Sequence, residues 1–128
     1  MEPVAVVTAL VLIEYMWIVW QTGQARGQYG VAAPATVGHP VFERWFRVQI
    51  NTVEQLVIFL PALWMFASFV SPWLAALLGL GFGVGRYLFA RGYVEDPAKR
   101  GPGFVVTLAS NALLVVGALV GALVSWLT

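Results

Sequence analysis

Residues 55–85 read QLVIFLPALWMFASFVSPWLAALLGLGFGVG and contain no charged side chain. As one α-helix this stretch would be about 46 Å long, which exceeds the hydrocarbon core of a bilayer at about 30 Å. Ser71-Pro72 interrupts the run, because proline disfavours helical backbone at the residue before it. The stretch therefore predicts two membrane-spanning helices that are joined by a tight turn at residues 69–73.

The composition of the whole chain also indicates membrane embedding. Of its 128 residues 60% are hydrophobic and 10% are charged, and the mean hydropathy is +0.83. Soluble domains carry about 25% charged residues, so both a water-soluble globule and a disordered chain are excluded. A net charge of +1 provides no basic face for nucleic acid. The chain has no cysteine and one histidine, which argues against thiolate chemistry and a metal centre.

Two further apolar runs flank this pair of helices. Residues 3–20 are interrupted only by Glu14, and no basic segment precedes them, which favours a retained span over a cleaved signal peptide. Residues 103–127 are uncharged and follow Gly101-Pro102. We therefore predict an all-α integral membrane protein, an antiparallel four-helix transmembrane bundle in which residues 1–128 form a single domain.

The helix boundaries follow from the prolines and from the polar segments. The second helix is expected to begin at Val41, after His39-Pro40, and the third to run from Pro72 to about Tyr93. A polar first loop at about 22–40 and a short third loop at 94–102 complete the predicted connections. His39 is interpreted as a helix-start residue rather than a ligand.

All basic residues belong to the first and third connections or to the helix ends beside them. They are Arg26, Arg44, Arg47, Arg86, Arg91, Lys99 and Arg100. Positive residues accumulate on the cytoplasmic side of membrane proteins. The distribution predicts that both termini lie on the non-cytoplasmic side.

Glycines recur through the last two helices at short spacing. They are Gly79, Gly81, Gly83 and Gly85 in the third helix and Gly117 and Gly121 in the fourth. Small residues let helix backbones approach closely in lipid. This pattern predicts packing rather than chemistry.

Polar residues form a stripe along the second helix, where charges are costly and usually functional. Arg44, Arg47, Asn51 and Glu54 follow one another at helical spacing, while Gln49 points elsewhere. Arg86, Phe89 and Tyr93 share a face of the third helix by the same spacing.

Two interpretations of this stripe remain open. One is a neutral polar seam, with Arg47 paired to Glu54 and Arg86 bound to a carbonyl or to Glu54. The other is a pocket for a polyanionic ligand that bears an ammonium group, because arginines outnumber carboxylates there. Glutathione has two carboxylates, an amine and a thiol, and matches that pattern.

Two segments resemble signature motifs of the MAPEG family, the membrane-associated proteins in eicosanoid and glutathione metabolism. They are FERWFRVQINTVE at residues 42–54 and GRYLFARGY at residues 85–93. The chain is most similar to the bacterial branch with microsomal glutathione transferase character. The resemblance implies a homotrimer in a bacterial inner membrane, with glutathione bound as co-substrate between adjacent subunits and attacking lipophilic electrophiles or reducing hydroperoxides.

The resemblance also implies roles for individual residues. The glutathione-binding positions of the family match Arg26, Arg47, Gln49, Asn51, Glu54, Arg86 and Tyr93. Arg100 matches the arginine thought to hold the thiolate and is the predicted catalytic residue. Gln55 and Phe89 stand where one branch has tyrosines that touch glutathione. Because the family includes a non-enzymatic lipid-binding member, a binding protein without turnover is the alternative.

Two polar residues inside the spans are interpreted separately. Glu14 allows two hypotheses: a pairing with an Arg or Asn of a neighbouring helix, or a small proton-coupled multidrug transporter that uses this carboxylate. Asn111, deep in the fourth helix, is expected to make an interhelical hydrogen bond.

Overall fold

The computed structural model describes all residues, 1–128, as four long helices joined by short connections. Their bounds are α1 Glu2–Gln28, α2 Pro40–Phe69, α3 Pro72–Glu95 and α4 Gly101–Leu127, with a 3₁₀ helix at Pro97–Arg100. No strand is present, and all four helices are long and apolar enough to cross a membrane. The all-α four-span fold is thereby confirmed.

Side-chain caps explain where α2 and α3 begin. The Val41 backbone N–H donates to His39 Nδ1 at 3.1 Å, and the Leu74 N–H donates to Ser71 Oγ at 3.2 Å. A proline follows each cap and supplies a helical φ at the first position. His39 is thus a helix-start residue, as predicted.

The predicted first loop, at about 22–40, was too long. α1 continues to Gln28, so the connection covers only residues 29–39. Thr22 is the reason, because its hydroxyl donates to Ile18 O at 3.1 Å and lies 3.3 Å from Trp45 O on α2. Thr22 and Ala25 are buried beyond Trp20, so α1 stays packed against the bundle there. The predicted third loop was also too long, since helical turns occupy most of residues 94–102.

The two central helices hold the bundle together. α2 and α3 pack against each other, and α1 and α4 each pack against both of them. One apolar core lies near the end that carries the α2–α3 turn and includes Phe59, Phe82 and Leu114. A second core, around Phe42 and Trp45, lies near the end that carries the first and third connections. A polar region separates these cores.

Close helix contacts require several of the glycines. A Cβ at Gly79 would lie 2.6 Å from Val7 on α1, and one at Gly85 would lie 2.9 Å from the Thr107 nitrogen on α4. Gly83 has no such constraint, since its nearest neighbour would be 3.8 Å away. The packing role is confirmed for Gly79 and Gly85. Gly103, which the spacing did not single out, faces the Phe89 backbone at the tightest glycine contact in the bundle.

We predict that Gly103→Ala destabilises the protein because the added methyl group meets α3 backbone atoms, which cannot rotate away. Overpacking of this kind costs about 1–3 kcal/mol of unfolding free energy. Thermal unfolding in detergent measures the loss. Gly101→Ala is the matched control, since a Cβ there meets nothing within 4 Å. Equal melting temperatures for the two variants would contradict the packing analysis.

Candidate functional site

A buried arginine stands at the centre of the bundle. Arg86 is 1% exposed. Its Nη2 donates to Asn51 Oδ1 at 2.6 Å and to Thr52 Oγ1 at 3.0 Å, both on α2, and its Nη1 lies 3.4 Å from Thr107 Oγ1 on α4. Of the two predicted partners, Glu54 was wrong, whereas the carbonyl is that of the Asn51 side-chain amide. Neutral oxygens of two neighbouring helices hold this cation instead.

Four of the predicted site residues line one cavity next to Arg86. The cavity has a volume of about 330 Å³ and lies toward the end of the bundle that carries the first and third connections. It is lined by Arg47, Asn51, Phe89, Tyr93, Arg100 and Phe104. Residues from α2, α3, the 3₁₀ helix and α4 thus meet at a space whose size is that of a small-molecule site.

The cavity is cationic because its two arginines have no carboxylate partner. The only ion pairs in the chain are those of the N-terminus with Glu2 and of Lys99 with Glu95. The predicted pair of Arg47 with Glu54 does not form. Asn51 is oriented by the bond from Arg86, and Tyr93 stacks on Phe89 with ring centroids 5.6 Å apart. Such a cavity offers two guanidinium forks, an amide and a phenol to an anionic ligand.

Two other arginines of the same region serve the fold. Arg26 donates to Ala35 O at 2.8 Å and to Val31 O at 3.2 Å, so it organises the first loop and lies outside the cavity. Arg44 donates to Val94 O at 3.1 Å and to Glu95 O at 3.3 Å, which satisfies free carbonyls at the end of α3. Within the predicted stripe on α2, Arg44 therefore stabilises the end of α3, whereas Arg47 has no carboxylate partner and lines the cavity.

Glu54 and Gln49 also lie outside the cavity of the single chain. Glu54 is exposed on α2, Gln49 is partly exposed, and neither makes a side-chain hydrogen bond or ion pair within the chain. An unpaired carboxylate within a span faces a protein or a water-filled space much more often than lipid. This face of α2 thus has the character of a surface that another protein element covers.

The two positions that depart from the family pattern have internal roles. Asn111 Nδ2 donates to Gln55 Oε1 at 3.0 Å, which confirms the expected interhelical hydrogen bond of Asn111 and engages Gln55. Phe89 is buried, and its ring centroid lies 4.4 Å from the Arg86 guanidinium carbon. Neither side chain adds a hydroxyl donor to the cavity.

Sequence reasoning missed Thr52, Thr107 and Phe104. The two threonines hold Arg86, and Phe104 supplies an apolar wall of the cavity. The sequence did indicate that such partners exist, because an arginine within a span requires hydrogen-bond acceptors. Threonine hydroxyls in the neighbouring spans can supply them. Their pairing depends on helix register, which the one-dimensional pattern does not contain.

Glu14 does not form the hydrogen-bonded or ionic pair with an Arg or Asn that was expected. Its side chain is partly exposed and lines a space of about 290 Å³ between α1 and α3, with Gly83 and Tyr87. This space shares Leu10 and Leu80 with a larger groove of about 590 Å³ that is lined mainly by apolar side chains. The groove lacks the cationic groups that the 330 Å³ cavity provides.

We predict that Arg86→Lys lowers the unfolding free energy by about 2 kcal/mol, because a single ammonium nitrogen cannot reproduce the two separated guanidinium nitrogens that reach α2 and α4. Thermal or denaturant unfolding in detergent measures the change. Arg91→Lys is the control, since the exposed Arg91 guanidinium bonds only the Tyr87 hydroxyl of its own helix. A smaller effect for Arg86→Lys than for Arg91→Lys would contradict the central role of this side chain.

Comparison with known proteins adds to this geometry. The family model described as the MAPEG family matches residues 4–120. An uncharacterised protein of Synechocystis sp. is 48% identical over 119 residues, which cover 93% of this chain and 87% of that protein. Microsomal glutathione S-transferase 2 of Homo sapiens is 41% identical over 116 residues, or 90% and 79% of the two chains. Leukotriene C4 synthase of Rattus norvegicus is 34% identical over 123 residues, or 96% and 82%.

Proposed function

The chain belongs to the MAPEG family, and from that membership we propose that it is a glutathione-dependent membrane transferase. Relatives that align with most of the chain are named glutathione S-transferase and leukotriene C4 synthase, so a glutathione-related membrane function is the general assignment. The specific proposal is that this protein activates the glutathione thiol for attack on lipophilic electrophiles.

One observation carries the proposal. Arg47, Asn51, Tyr93 and Arg100 come from three separate segments and line a single cavity whose arginines lack carboxylate partners. A tripeptide with two carboxylates fits such a site, because charge-assisted hydrogen bonds to guanidinium groups are among the strong ones in proteins. In this assignment Arg47, Asn51 and Tyr93 position glutathione, and Arg86 acts indirectly by orienting Asn51.

Arg100 is assigned to the sulfur. A free thiol has a pKa near about 8.5, and a neighbouring cation favours its ionised form at neutral pH. The thiol proton passes to solvent, and the thiolate then forms a carbon–sulfur bond with the electrophilic carbon of the second substrate as the leaving group departs. In a peroxidase reaction the thiolate would attack the terminal oxygen of a lipid hydroperoxide and break the O–O bond, which gives glutathione sulfenic acid and, after protonation, the lipid alcohol. A second glutathione would then convert the sulfenic acid to the disulfide and water. Positioning and thiolate stabilisation account for the rate without a dedicated base.

Two of the remaining predicted residues, Gln49 and Glu54, are assigned to a subunit interface. Arg26, Gln49 and Glu54 lie outside the cavity of one chain, and the unpaired carboxylate of Glu54 lies on an exposed face of α2. A homotrimer that covers this face would bring Gln49 and Glu54 of one subunit to the cavity of the next, where Glu54 would receive the glutathione ammonium. Arg26 keeps its bonds to the carbonyls of the first loop. The basic residues at this end further support a cytoplasmic opening, with both termini on the opposite side.

We predict that Arg47→Gln weakens glutathione binding by about tenfold, the equivalent of one lost charge-assisted hydrogen bond. Calorimetry in detergent measures the dissociation constant. Arg44→Gln is the matched control one helical turn away, because Arg44 bonds the end of α3 and does not line the cavity. The control should lose stability but keep its affinity. Equal affinities for the two variants would remove Arg47 from the site.

We predict that Arg100→Ala keeps glutathione binding but lowers turnover with chlorodinitrobenzene roughly 100-fold, as expected when one stabilising donor is removed. Lys99→Ala is the neighbouring control, since Lys99 is paired with Glu95 at 2.6 Å on the surface. Unchanged turnover in Arg100→Ala would remove this residue from the mechanism. Saturable glutathione binding by the native protein, without turnover of an electrophile or a hydroperoxide, would instead identify a non-catalytic binding member.

A further inference from the structure

Two transmembrane helices supply the hydrogen-bond partners of Arg86. Asn51 and Thr52 approach from α2 and Thr107 from α4, all as hydrogen-bond acceptors. Glu14 is the acidic residue in the interior of the remaining helix, α1, and it faces α3. The contacts of Arg86 with α2 and α4 belong to the site described above, whereas Glu14 has no role there.

The hydrogen bonds of Arg86 leave its Nε–H without an acceptor and its positive charge without a counter-ion. Its Nε–H is buried and has no acceptor within the chain. Its partners Asn51, Thr52 and Thr107 are neutral, so no hydrogen-bonded group balances the positive charge of a side chain that is 1% exposed. A charge inside a membrane bundle is stabilised by an opposite charge or a water-filled space. The direct partners of Arg86 therefore supply no counter-charge.

Glu14 is the carboxylate placed to meet this need. A Cβ at Gly83 would lie 3.9 Å from Glu14 Oε1, and Gly83 precedes Arg86 by one turn of α3. The Glu14 carboxylate and the Arg86 guanidinium form no direct ion pair, and Glu14 borders a space of about 290 Å³ beside Gly83. Glu54 is exposed on α2, and the other four acids, Glu2, Glu43, Glu95 and Asp96, lie at helix ends.

We infer that Glu14 is the counter-ion of Arg86, connected to the unpartnered Nε–H through one ordered water, and that it acts as a positioning residue for the cavity. Water that bridges two polar groups contributes nearly as much enthalpy as a direct hydrogen bond. The influence passes from Glu14 to the Arg86 guanidinium and from there to Asn51, which lines the cavity. The effect on the cavity rests on the proposed function, whereas the water-mediated role of Glu14 as counter-ion does not.

Two substitutions of Glu14 separate the effect of its charge from the effect of its shape. Glu14→Asp keeps the charge and shortens the side chain, while Glu14→Gln keeps the shape and removes the charge. An ionised counter-ion predicts that Glu14→Asp retains a higher melting temperature in detergent than Glu14→Gln. The reverse order would show that Glu14 is neutral and would overturn the inference.

A double-mutant cycle tests the pairing with Arg86. The melting-temperature loss caused by Glu14→Gln in the native background should largely disappear in an Arg86→Gln background, because the counter-ion then has nothing to balance. Glu95→Gln, which affects an exposed pair with Lys99, is the control and should be additive with Arg86→Gln. Additivity of Glu14→Gln with Arg86→Gln would overturn the pairing whether or not the protein binds glutathione.

The positioning role has its own readout. Glu14→Gln should weaken glutathione binding about fivefold or more and raise the KM for glutathione, with kcat at saturation retained, while Glu95→Gln matches the native protein. Unchanged affinity in a folded Glu14→Gln variant would overturn the positioning role. Absence of glutathione binding by the native protein is a different result, because it would contradict the proposed function itself.

Discussion

The structure depends on a guanidinium buried among apolar helices. A charged side chain at the centre of a membrane span is costly, by about 2.5–3.5 kcal/mol on insertion scales. Arg86 meets this cost with acceptors on α2 and α4, which ties α3 to both neighbours at one level. Since α2 and α3 are the helices that contact all others, these bonds favour one register of the bundle over its alternatives. They also place Asn51 at the edge of the cavity.

The arginines at the same end differ in how their charge is used. Arg26 and Arg44 donate to backbone carbonyls and thereby hold the first loop and the end of α3. Arg47 and Arg100 line a cavity without a carboxylate partner. Residue type and spacing do not show which arginines stabilise the fold and which line the cavity. The hydrogen bonds in the structure do show it. The unpaired arginines are the ones that suit an anionic ligand.

Much of the fold was predictable from local physical signals. Hydropathy located the four spans, and Ser71-Pro72 located the break between α2 and α3. Helical spacing placed Arg47 and Asn51 on one face, and both line the cavity. The extent of α1 was mispredicted because residues 21–28 are mostly polar side chains and glycine, whereas the helix continues through them and contacts α2 through Thr22.

The contacts between helices were not predictable in the same way. The partners of Arg86 and the close approach of Gly103 to Phe89 depend on the rotation and register of whole helices. Tyr93 and Arg100 are separated by a helix end and a 3₁₀ turn, so periodicity could not bring them together. Their assignment came from the family motif, and the fold places both at the same cavity.

A structure of the native protein with bound glutathione, determined in detergent or nanodiscs, tests the central claim most directly. The account predicts density for one tripeptide per chain in the 330 Å³ cavity, with a carboxylate on Arg47 and the sulfur beside Arg100. Glutathione bound elsewhere, or an empty cavity at saturating glutathione, would contradict it.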